Sequence, residues 1–258
     1  MSDLTSEFKA FISPHIDIVG IAPISRFEFA PAGYRPTDIL SSATNVVIIG
    51  IQTLGDESSH VHVMQSNYWT TSLEINRVAY YCAKWLSNKG YAVAPIPSFI
   101  PLDMFKESGM RADFSLRHGA VEAGLGEIGL NNLLITPRYG PRIRLASIIT
   151  NAPMRVDPRF EQTICLREAC GLCVSKCPAE ALTLSGEIDK RKCLRQVQKF
   201  GFSTFFKLLR HLLEAEKSDI PTILRDSSFI EFFQFIEMSG AAECAECIRV
   251  CPIGQKSQ

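Results

Sequence analysis

Nine cysteines occur in this sequence of 258 residues, and most of them belong to two related runs. The pattern C-x2-C-x3-C-P occurs at Cys170–Pro178 and again at Cys244–Pro252. Cysteines two residues apart allow a tight turn to wrap one corner of an iron–sulfur cubane, and the cysteine before proline points toward a second cluster. The repeated motif therefore predicts thiolate ligands for two [4Fe–4S] clusters.

Each run lacks one cysteine of the strict pattern. The first run should begin three residues before Cys170, but Arg167 stands there, and Cys165 is the nearest substitute. The second run has no cysteine at that place either, and Cys193 is the remaining candidate. We therefore expect two sets of four ligands, with Cys82 left over as a core thiol. The first set is Cys165, Cys170, Cys173 and Cys251, and the second is Cys177, Cys193, Cys244 and Cys247.

Zinc and disulfides are the alternatives to iron–sulfur clusters. Paired C-x-x-C knuckles also bind tetrahedral zinc, but zinc sites rarely repeat the x3-C-P ending on both arms. A disulfide framework suits a small secreted chain. The N-terminus of this chain has no basic region leading into an apolar one, and no apolar run approaches membrane-spanning length. We therefore favour iron–sulfur ligation and expect a cytoplasmic protein.

Composition argues against an extended nucleic-acid footprint. The sequence has 27 basic and 27 acidic residues, and its 46% apolar and 21% charged content is ordinary for a soluble globular protein. A local basic patch is compatible with this balance, but a broad one is not. The sequence also ends at Gln258, shortly after Cys251. We expect neither nucleic acid nor a membrane as a partner.

Apolar periodicity before the cysteines predicts both helices and strands. Helices are expected at 4–12, 71–89 and 115–123, an extended segment at 91–97, and strands at 18–23, 45–51, 130–136 and 142–150. The last two strands flank the turn at Pro137–Pro141 and should form a hairpin. Residues 27–39 are expected to be an ordered loop, and His60 and His62 to lie in a surface loop. Breaks between 151 and 160 predict two domains, 1–157 and 158–258.

Three glycines, Gly124, Gly126 and Gly129, form a G-x-G-x-x-G match. A dinucleotide fingerprint follows a strand, opens a helix and has an acidic residue about 20 positions on. Here a helical pattern precedes the glycines, a strand pattern follows them, and no acid stands at the expected place. We reject the nicotinamide interpretation. The glycines should instead let the backbone approach a flat ligand or another segment of the chain.

A long insertion, 194–243, separates the two cysteine runs. Its apolar residues recur at helical spacing, which is more often core packing than a partner-binding surface or a lid over a hydrophobic substrate. These residues are Phe202, Phe205, Phe206, Leu209, Leu212, Leu213, Phe229, Phe232, Phe233 and Ile236.

The order of these motifs resembles that of epoxyqueuosine reductases and of the catalytic part of reductive dehalogenases. The shared features are the glycine stretch, Leu133–Pro137, Tyr139–Arg142, and the cysteine runs with the lone Cys193; the insertion matches neither family. The resemblance implies an α+β fold. A nitroreductase-like α/β domain that binds cobalamin would precede a ferredoxin-like double-cluster module with a helical insertion. The cobalamin-binding residues would be Gly124, Gly126, Gly129, Leu130, Asn131, Asn132 and Leu133.

The resemblance also implies a reductase of a small or organic substrate, supplied with electrons by a low-potential donor such as ferredoxin or flavodoxin. Epoxyqueuosine reductases carry a proton-donating aspartate a few residues before the equivalent of Arg117, where this chain has Met110. Asp113, His118 and Tyr139 are the remaining candidate proton donors. The alternative is an electron carrier or activator that re-reduces a separate corrinoid or redox partner, contacted through the insertion.

Overall fold

A four-stranded antiparallel sheet is the centre of the part that precedes the cysteines. In this computed structural model the described residues are 3–54, 61–98, 112–197, 202–227, 229–230, 232–233 and 244–255. The strands β1 (Ile18–Pro23), β2 (Asn45–Gln52), β3 (Val93–Ile96) and β6 (Ile143–Thr150) lie in the order β1-β2-β6-β3. A separate ladder pairs β4 (Glu127–Ile128) with β5 (Leu134–Ile135). The expected strands at 18–23, 45–51 and 142–150 are confirmed.

Helices pack on both faces of the sheet and continue into the cysteine-bearing part. The first group is α1 (Leu4–Ile12), α2 (Pro36–Ile39), α3 (Val61–Asn88) and α4 (Leu116–Glu122). The second group is α5 (Leu172–Ser175), α6 (Lys190–Val197), α7 (Phe202–Glu214), α8 (Ile220–Ile223) and α9 (Glu246–Arg249). The mixed helix and sheet fold expected from the sequence is confirmed.

The central strand β2 is buried on both faces, which creates two cores. Val47 and Ile49 belong to the core shared with α1 and α3, whereas Val46 and Ile48 belong to the core shared with α4. This division follows from the two-residue period of a strand. Cys82 is 0% exposed in the first core, as expected of a packing thiol.

Two local expectations need correction. Helix α3 begins at Val61, ten residues before the expected start at 71, so that His62 lies in a helix rather than a loop; His60 falls outside the described residues. The ten added residues, 61–70, are half apolar and half polar, and Tyr68 among them is buried. The expected loop at 27–39 contains the helical turn α2, where the Asp38 carboxylate accepts hydrogen bonds from the backbone N–H groups of Gly33 and Arg35.

The hairpin expected between 130–136 and 142–150 does not form. Leu134–Ile135 pairs back with Glu127–Ile128, while β6 pairs with β2 on one side and β3 on the other. Asn132 has a φ of 59° and, with the glycines before it, turns the chain back at once. Both edges of β6 are therefore used by strands more distant in sequence.

The apolar stripe of the insertion is more exposed than core packing predicts. Phe206, Leu213 and Phe233 are 61%, 78% and 52% exposed, although Phe205 stacks on Phe232 with ring centroids 5.3 Å apart. Among the side chains of α7 that the structure describes, Leu208 is buried. The helical prediction for 202–213 is confirmed, whereas the preference for core packing is wrong for these exposed side chains.

Within the described ranges, no helix is both long and apolar enough to cross a membrane. The segment 151–166 contains neither helix nor strand. It leads from the end of β6 to the first cysteine of the expected ligand sets.

Candidate metal centre

Four cysteines from distant parts of the sequence line one cavity. They are Cys165, Cys170, Cys173 and Cys251. Between them the chain turns at Gly171, whose φ of 57° suits glycine, and the short helix α5 follows. Leu130, Ile135 and Pro252 contribute to the wall of the cavity. Four soft thiols around a partly apolar cavity are a donor set that suits an iron–sulfur cluster.

Arg142 holds the C-terminal cysteine at this cavity. Its guanidinium donates hydrogen bonds to the carbonyl oxygens of Cys251 at 2.6 Å, Ile253 at 2.9 Å and Arg249 at 3.4 Å. The turn before it makes close contact with the same segment, because a Cβ on Gly140 would lie 1.9 Å from the carbonyl oxygen of Ile253. The position of Cys251 therefore depends on a side chain that is 109 residues away in the sequence.

The thiols of the second expected set influence one another. Burial raises the pKa of Cys193, and the neighbouring thiols of Cys244 and Cys177 raise it further. Burial also raises the pKa of Cys247, to which Cys244 and Cys193 add. Cys177 raises the pKa of Cys247 as well, so the thiols of this set oppose one another's ionisation, as like charges do. Binding of a cation favours their joint deprotonation.

A thiol of the first set also influences one of the second set. Burial raises the pKa of Cys173, and Cys165, Cys251 and Cys170 contribute in the same direction. Cys173 in turn raises the pKa of Cys247, which belongs to the other group. Among the described residues, no three histidine, cysteine, aspartate or glutamate side chains converge closely enough to hold a single metal ion.

The three glycines contact this chain itself. A Cβ on Gly124 would lie 2.0 Å from the carbonyl oxygen of Pro158, and one on Gly126 would lie 2.1 Å from that of Ile135. A Cβ on Gly129 would lie 2.5 Å from the Ile135 side chain. Of the two roles expected for the glycines, close approach to another chain segment is the one observed.

The loop that follows the glycines touches both groups of cysteines. The backbone N–H of Leu130 donates to Cys165 Sγ at 3.4 Å, and Asn131 Nδ2 donates to the carbonyl oxygen of Cys247 at 3.3 Å. Arg117 donates to the backbone and side-chain oxygens of Asn132, which has a left-handed backbone. Leu133 is half-buried. The loop therefore links α4 to the cysteine-lined region.

The candidate proton donors occupy separate environments. Asp113 is exposed. His118 Nδ1 lies 2.7 Å from Ser115 Oγ, and its pKa is lowered by burial and by the neighbouring Arg117. The Tyr139 hydroxyl donates to Asp17 Oδ1 at 3.3 Å, and burial, followed by the Asp17 carboxylate, raises its pKa. Met110 lies outside the described residues.

Sequence reasoning missed a buried pair beside the second group. The guanidinium of Arg144 lies over the Tyr68 ring at 4.4 Å from its centroid. Burial raises the pKa of Tyr68, Arg144 opposes this shift, and Cys247 adds to it. Among the described residues, Arg144 Nε is a buried atom with no hydrogen-bond partner. No motif signals this pair, since α3 and β6 meet only in the folded chain.

Comparison with known proteins confirms the resemblance inferred from the sequence. No family model matches the chain. Over 172 residues the chain is 30% identical to the tetrachloroethene reductive dehalogenase of Dehalobacter restrictus. The alignment covers 64% of this chain and 28% of that protein. Over 138 residues the chain is 30% identical to the epoxyqueuosine reductase of a Synechococcus species. The alignment covers 54% of this chain and 35% of that protein.

Solved structures of the same two kinds of protein share the fold. The epoxyqueuosine reductase of Bacillus subtilis, with its catalytic aspartate loop swung out of the active site, superposes with a TM-score of 0.60 at 18% identity, covering 98% of this chain and 65% of that one. An epoxyqueuosine reductase bound to an epoxyqueuosine-modified tRNA stem-loop gives 0.57 at 19% identity, covering 97% and 65%. A reductive dehalogenase described as B12-dependent gives 0.51 at 20% identity, covering 70% and 27%.

These relatives are reductases, and the chain resembles both kinds. The chain spans about a third or less of the length of the two curated relatives, at 28% and 35%. Activity, substrate and partners of the whole relatives are therefore matters for proposal.

Proposed function

We propose that the chain is an iron–sulfur oxidoreductase that holds two [4Fe–4S] clusters and reduces a small or organic substrate with cobalamin. The observation that carries the proposal is the cavity in which Cys251, from the second run, joins Cys165, Cys170 and Cys173. A ligand that crosses from one run to the other is the arrangement that bacterial two-cluster modules use. The reductase names of the relatives support the same class of reaction.

Each ligand set has a defined protein environment. Cys165, Cys170, Cys173 and Cys251 would hold the first cluster, and Cys177, Cys193, Cys244 and Cys247 the second. Such clusters supply one-electron transfer when bound. The chain contributes backbone donors at the sulfurs: Leu130 N–H to Cys165 Sγ and Ala181 N–H to Cys177 Sγ, both at 3.4 Å. Hydrogen bonds to ligand sulfur help to set the reduction potential.

For cobalamin, the described residues fit only in part. On Gly124, Gly126 and Gly129, the side of the backbone that would carry a Cβ faces Pro158 or Ile135 of this chain rather than an open surface. Leu130 and Asn131 line the cysteine cavity. The cobalamin proposal therefore depends on the likeness to the relative described as B12-dependent.

Anaerobic reconstitution tests both parts of the proposal. The protein is supplied with iron and sulfide, and its iron content and EPR spectrum are measured; about eight iron atoms per chain are expected. Equilibrium dialysis against cobalamin follows, with retention of about one base-off corrinoid per chain expected by analogy with the family. A protein that takes up iron but retains no cobalamin refutes the corrinoid part alone. Failure to take up iron refutes the whole proposal.

The second candidate function is an electron carrier or activator for a separate redox partner. The exposed Phe206 and Leu213 on α7 favour it, since exposed apolar clusters mark interaction surfaces. The packed glycines favour it too. Turnover of a substrate by the isolated reconstituted chain would exclude this candidate, whereas reduction of an added corrinoid protein without turnover would establish it.

The expectation that tRNA is not a substrate is a separate proposal. Net charge is zero, but helix α6 exposes Lys190, Arg191, Lys192 and Arg195 beside Cys193. Phosphate contacts supply most non-specific affinity, and one local basic helix should give only weak, salt-sensitive binding. Tight binding of an epoxyqueuosine-modified stem-loop at physiological salt, lost in an Arg191→Glu/Arg195→Glu variant, would overturn this expectation.

A further inference from the structure

The first ligand set departs from the strict motif at one place, and the surroundings of that place are specific. Arg167 stands where the first cysteine of the strict run should be, with a φ of 50°. The substitute, Cys165, is therefore separated from Cys170 by four residues instead of two. A longer and less regular connection needs another source of order, because a tight turn no longer fixes the first ligand.

Glu127 supplies contacts at this displaced ligand. Its Oε1 accepts hydrogen bonds from the backbone N–H groups of Ile164 at 2.6 Å and Cys165 at 2.7 Å. Its Oε2 accepts one from Arg167 Nη2 at 3.0 Å, and the same nitrogen also donates to the carbonyl oxygen of Ile128 at 2.8 Å. The Glu127 side chain is 17% exposed. One carboxylate thus binds both the backbone of the displaced ligand Cys165 and the side chain of Arg167, which stands at the position of the usual cysteine.

Contacts away from Cys165 hold the backbone of Glu127 in place. It lies in β4, where it pairs with Ile135 of β5, and the preceding Gly126 packs against the Ile135 carbonyl oxygen. Leu130, three residues further on, donates its N–H to Cys165 Sγ. The glycine-rich turn therefore approaches Cys165 from both its backbone and its sulfur.

We propose that Glu127 is the positioning residue for the displaced ligand Cys165, and that with Arg167 it sets the electrostatic potential at the first cluster. This inference rests on the proposed function, since it requires that a cluster binds there. Charge-assisted hydrogen bonds are stronger than neutral ones, so the carboxylate restrains the backbone at 164–165. A negative charge near a cluster opposes gain of an electron, and a positive one favours it.

Variants of the pair separate positioning from electrostatics. Glu127→Ala removes the three hydrogen bonds that the carboxylate accepts and should cost about half of the iron, or leave a three-iron species, on anaerobic reconstitution. Glu127→Gln keeps an oxygen acceptor but removes the negative charge. Iron should therefore remain bound, while the reduction potential of the first cluster becomes more positive. Arg167→Gln should shift that potential in the negative direction. The potentials are measured by EPR-monitored redox titration.

The Glu122–Arg159 ion pair is a matched control. It joins the same two stretches of the chain at 2.5 Å and, like the Glu127–Arg167 pair, is of the Glu–Arg type. Glu122→Gln and Arg159→Gln should change neither the iron content nor the potential. Opposite shifts for Glu127→Gln and Arg167→Gln support the proposal even if Glu127→Ala fails to fold.

Three results would overturn it: full iron in a folded Glu127→Ala, unshifted potentials in both charge variants, or shifts of the same sign in both. Wild-type protein without clusters refutes the proposed function itself, whereas wild-type protein with about eight irons and unaffected variants refutes only the role of Glu127.

Discussion

At the scale of single residues, the nine cysteines divide by environment. Cys82 is fully buried among apolar side chains of the first core, whereas Cys251 lines a cavity with three other thiols. Neither thiol is in a disulfide. Their neighbours differ as the motif spacing predicts, since a ligand needs partner thiols and a core residue needs apolar contacts.

Alanine substitution should separate these roles. Cys251→Ala leaves three thiols at the first cavity, so the cluster there should lose iron and form a three-iron species detectable by EPR. Cys177→Ala should do the same at the second group, with Cys244 and Cys247 intact. Cys82→Ala should keep about eight irons and lose about 1 kcal/mol of unfolding free energy with the buried sulfur. Full iron in Cys251→Ala together with iron loss in Cys82→Ala would contradict the assignment.

The buried thiol should also leave a signature in the pH dependence of stability. Burial raises the pKa of Cys82 from its ordinary value of 9.0 to about 12. The unfolded chain therefore binds fewer protons than the folded chain between these values, and the free energy of unfolding falls as pH rises through that window. Urea unfolding of metal-free wild type and Cys82→Ala at pH values across the window should give a shallower decline in the variant. An equal decline of the unfolding free energy with pH in both proteins would contradict a raised pKa of Cys82 in the folded chain.

At the scale of elements, the glycine-rich turn joins the sheet to the cysteines. Gly124 has a φ of 77° and lies against the backbone of Pro158, within the segment that leads to Cys165. Gly124→Ala would combine backbone strain with a clash that only a shift of this segment could relieve. We expect it to lower the unfolding free energy by about 2–4 kcal/mol more than its control and to reduce iron uptake.

Gly33→Ala is the control for this substitution. Gly33 has a φ of 83° but no atom within 4 Å of the added Cβ, so only strain of about 1–2 kcal/mol applies. Denaturant unfolding and iron analysis of both variants provide the comparison. Equal costs in the two variants would mean that the contact with Pro158 contributes nothing.

The elements also show how far the sequence could predict this structure. The run Asn45–Ile51 identified β2 because β-branched residues in an unbroken row suit a strand buried on both faces. The cysteine motif predicted that Cys251 joins Cys165, Cys170 and Cys173, because the cysteine before proline in a two-cluster module ligates the other cluster. The partner of Leu134–Ile135 was missed, since strand pairing depends on turn geometry and on which edges are already occupied. The contacts that Glu127 and Arg142 make with the cysteine-bearing segments were missed, because these partners lie 37 to 111 residues away in the sequence.

At the scale of the whole molecule, the sheet and the cysteine-bearing part are joined at several points. Asp157, at the expected domain boundary, accepts hydrogen bonds from Lys9 Nζ at 2.8 Å and from the Ile21 N–H at 2.9 Å. Arg142 extends from the sheet to the carbonyl oxygen of Cys251. Contacts of this kind make a local loss of ligand affect the stability of the distant sheet.

Removal of iron should therefore destabilise the sheet as well as the cysteine loops. A ligand that binds only the folded state stabilises every part that unfolds with it. Both tryptophans, Trp69 and Trp85, lie on α3, so their fluorescence reports the sheet, while visible absorbance reports the clusters. In reconstituted wild type the two signals should change together on heating, and chelation of iron should lower the fluorescence midpoint by at least about 4 °C.

In Arg142→Ala the link to Cys251 is cut, and the fluorescence midpoint should depend less on iron. Separate transitions in wild type, with a fluorescence midpoint that ignores chelation, would show that the two parts unfold independently.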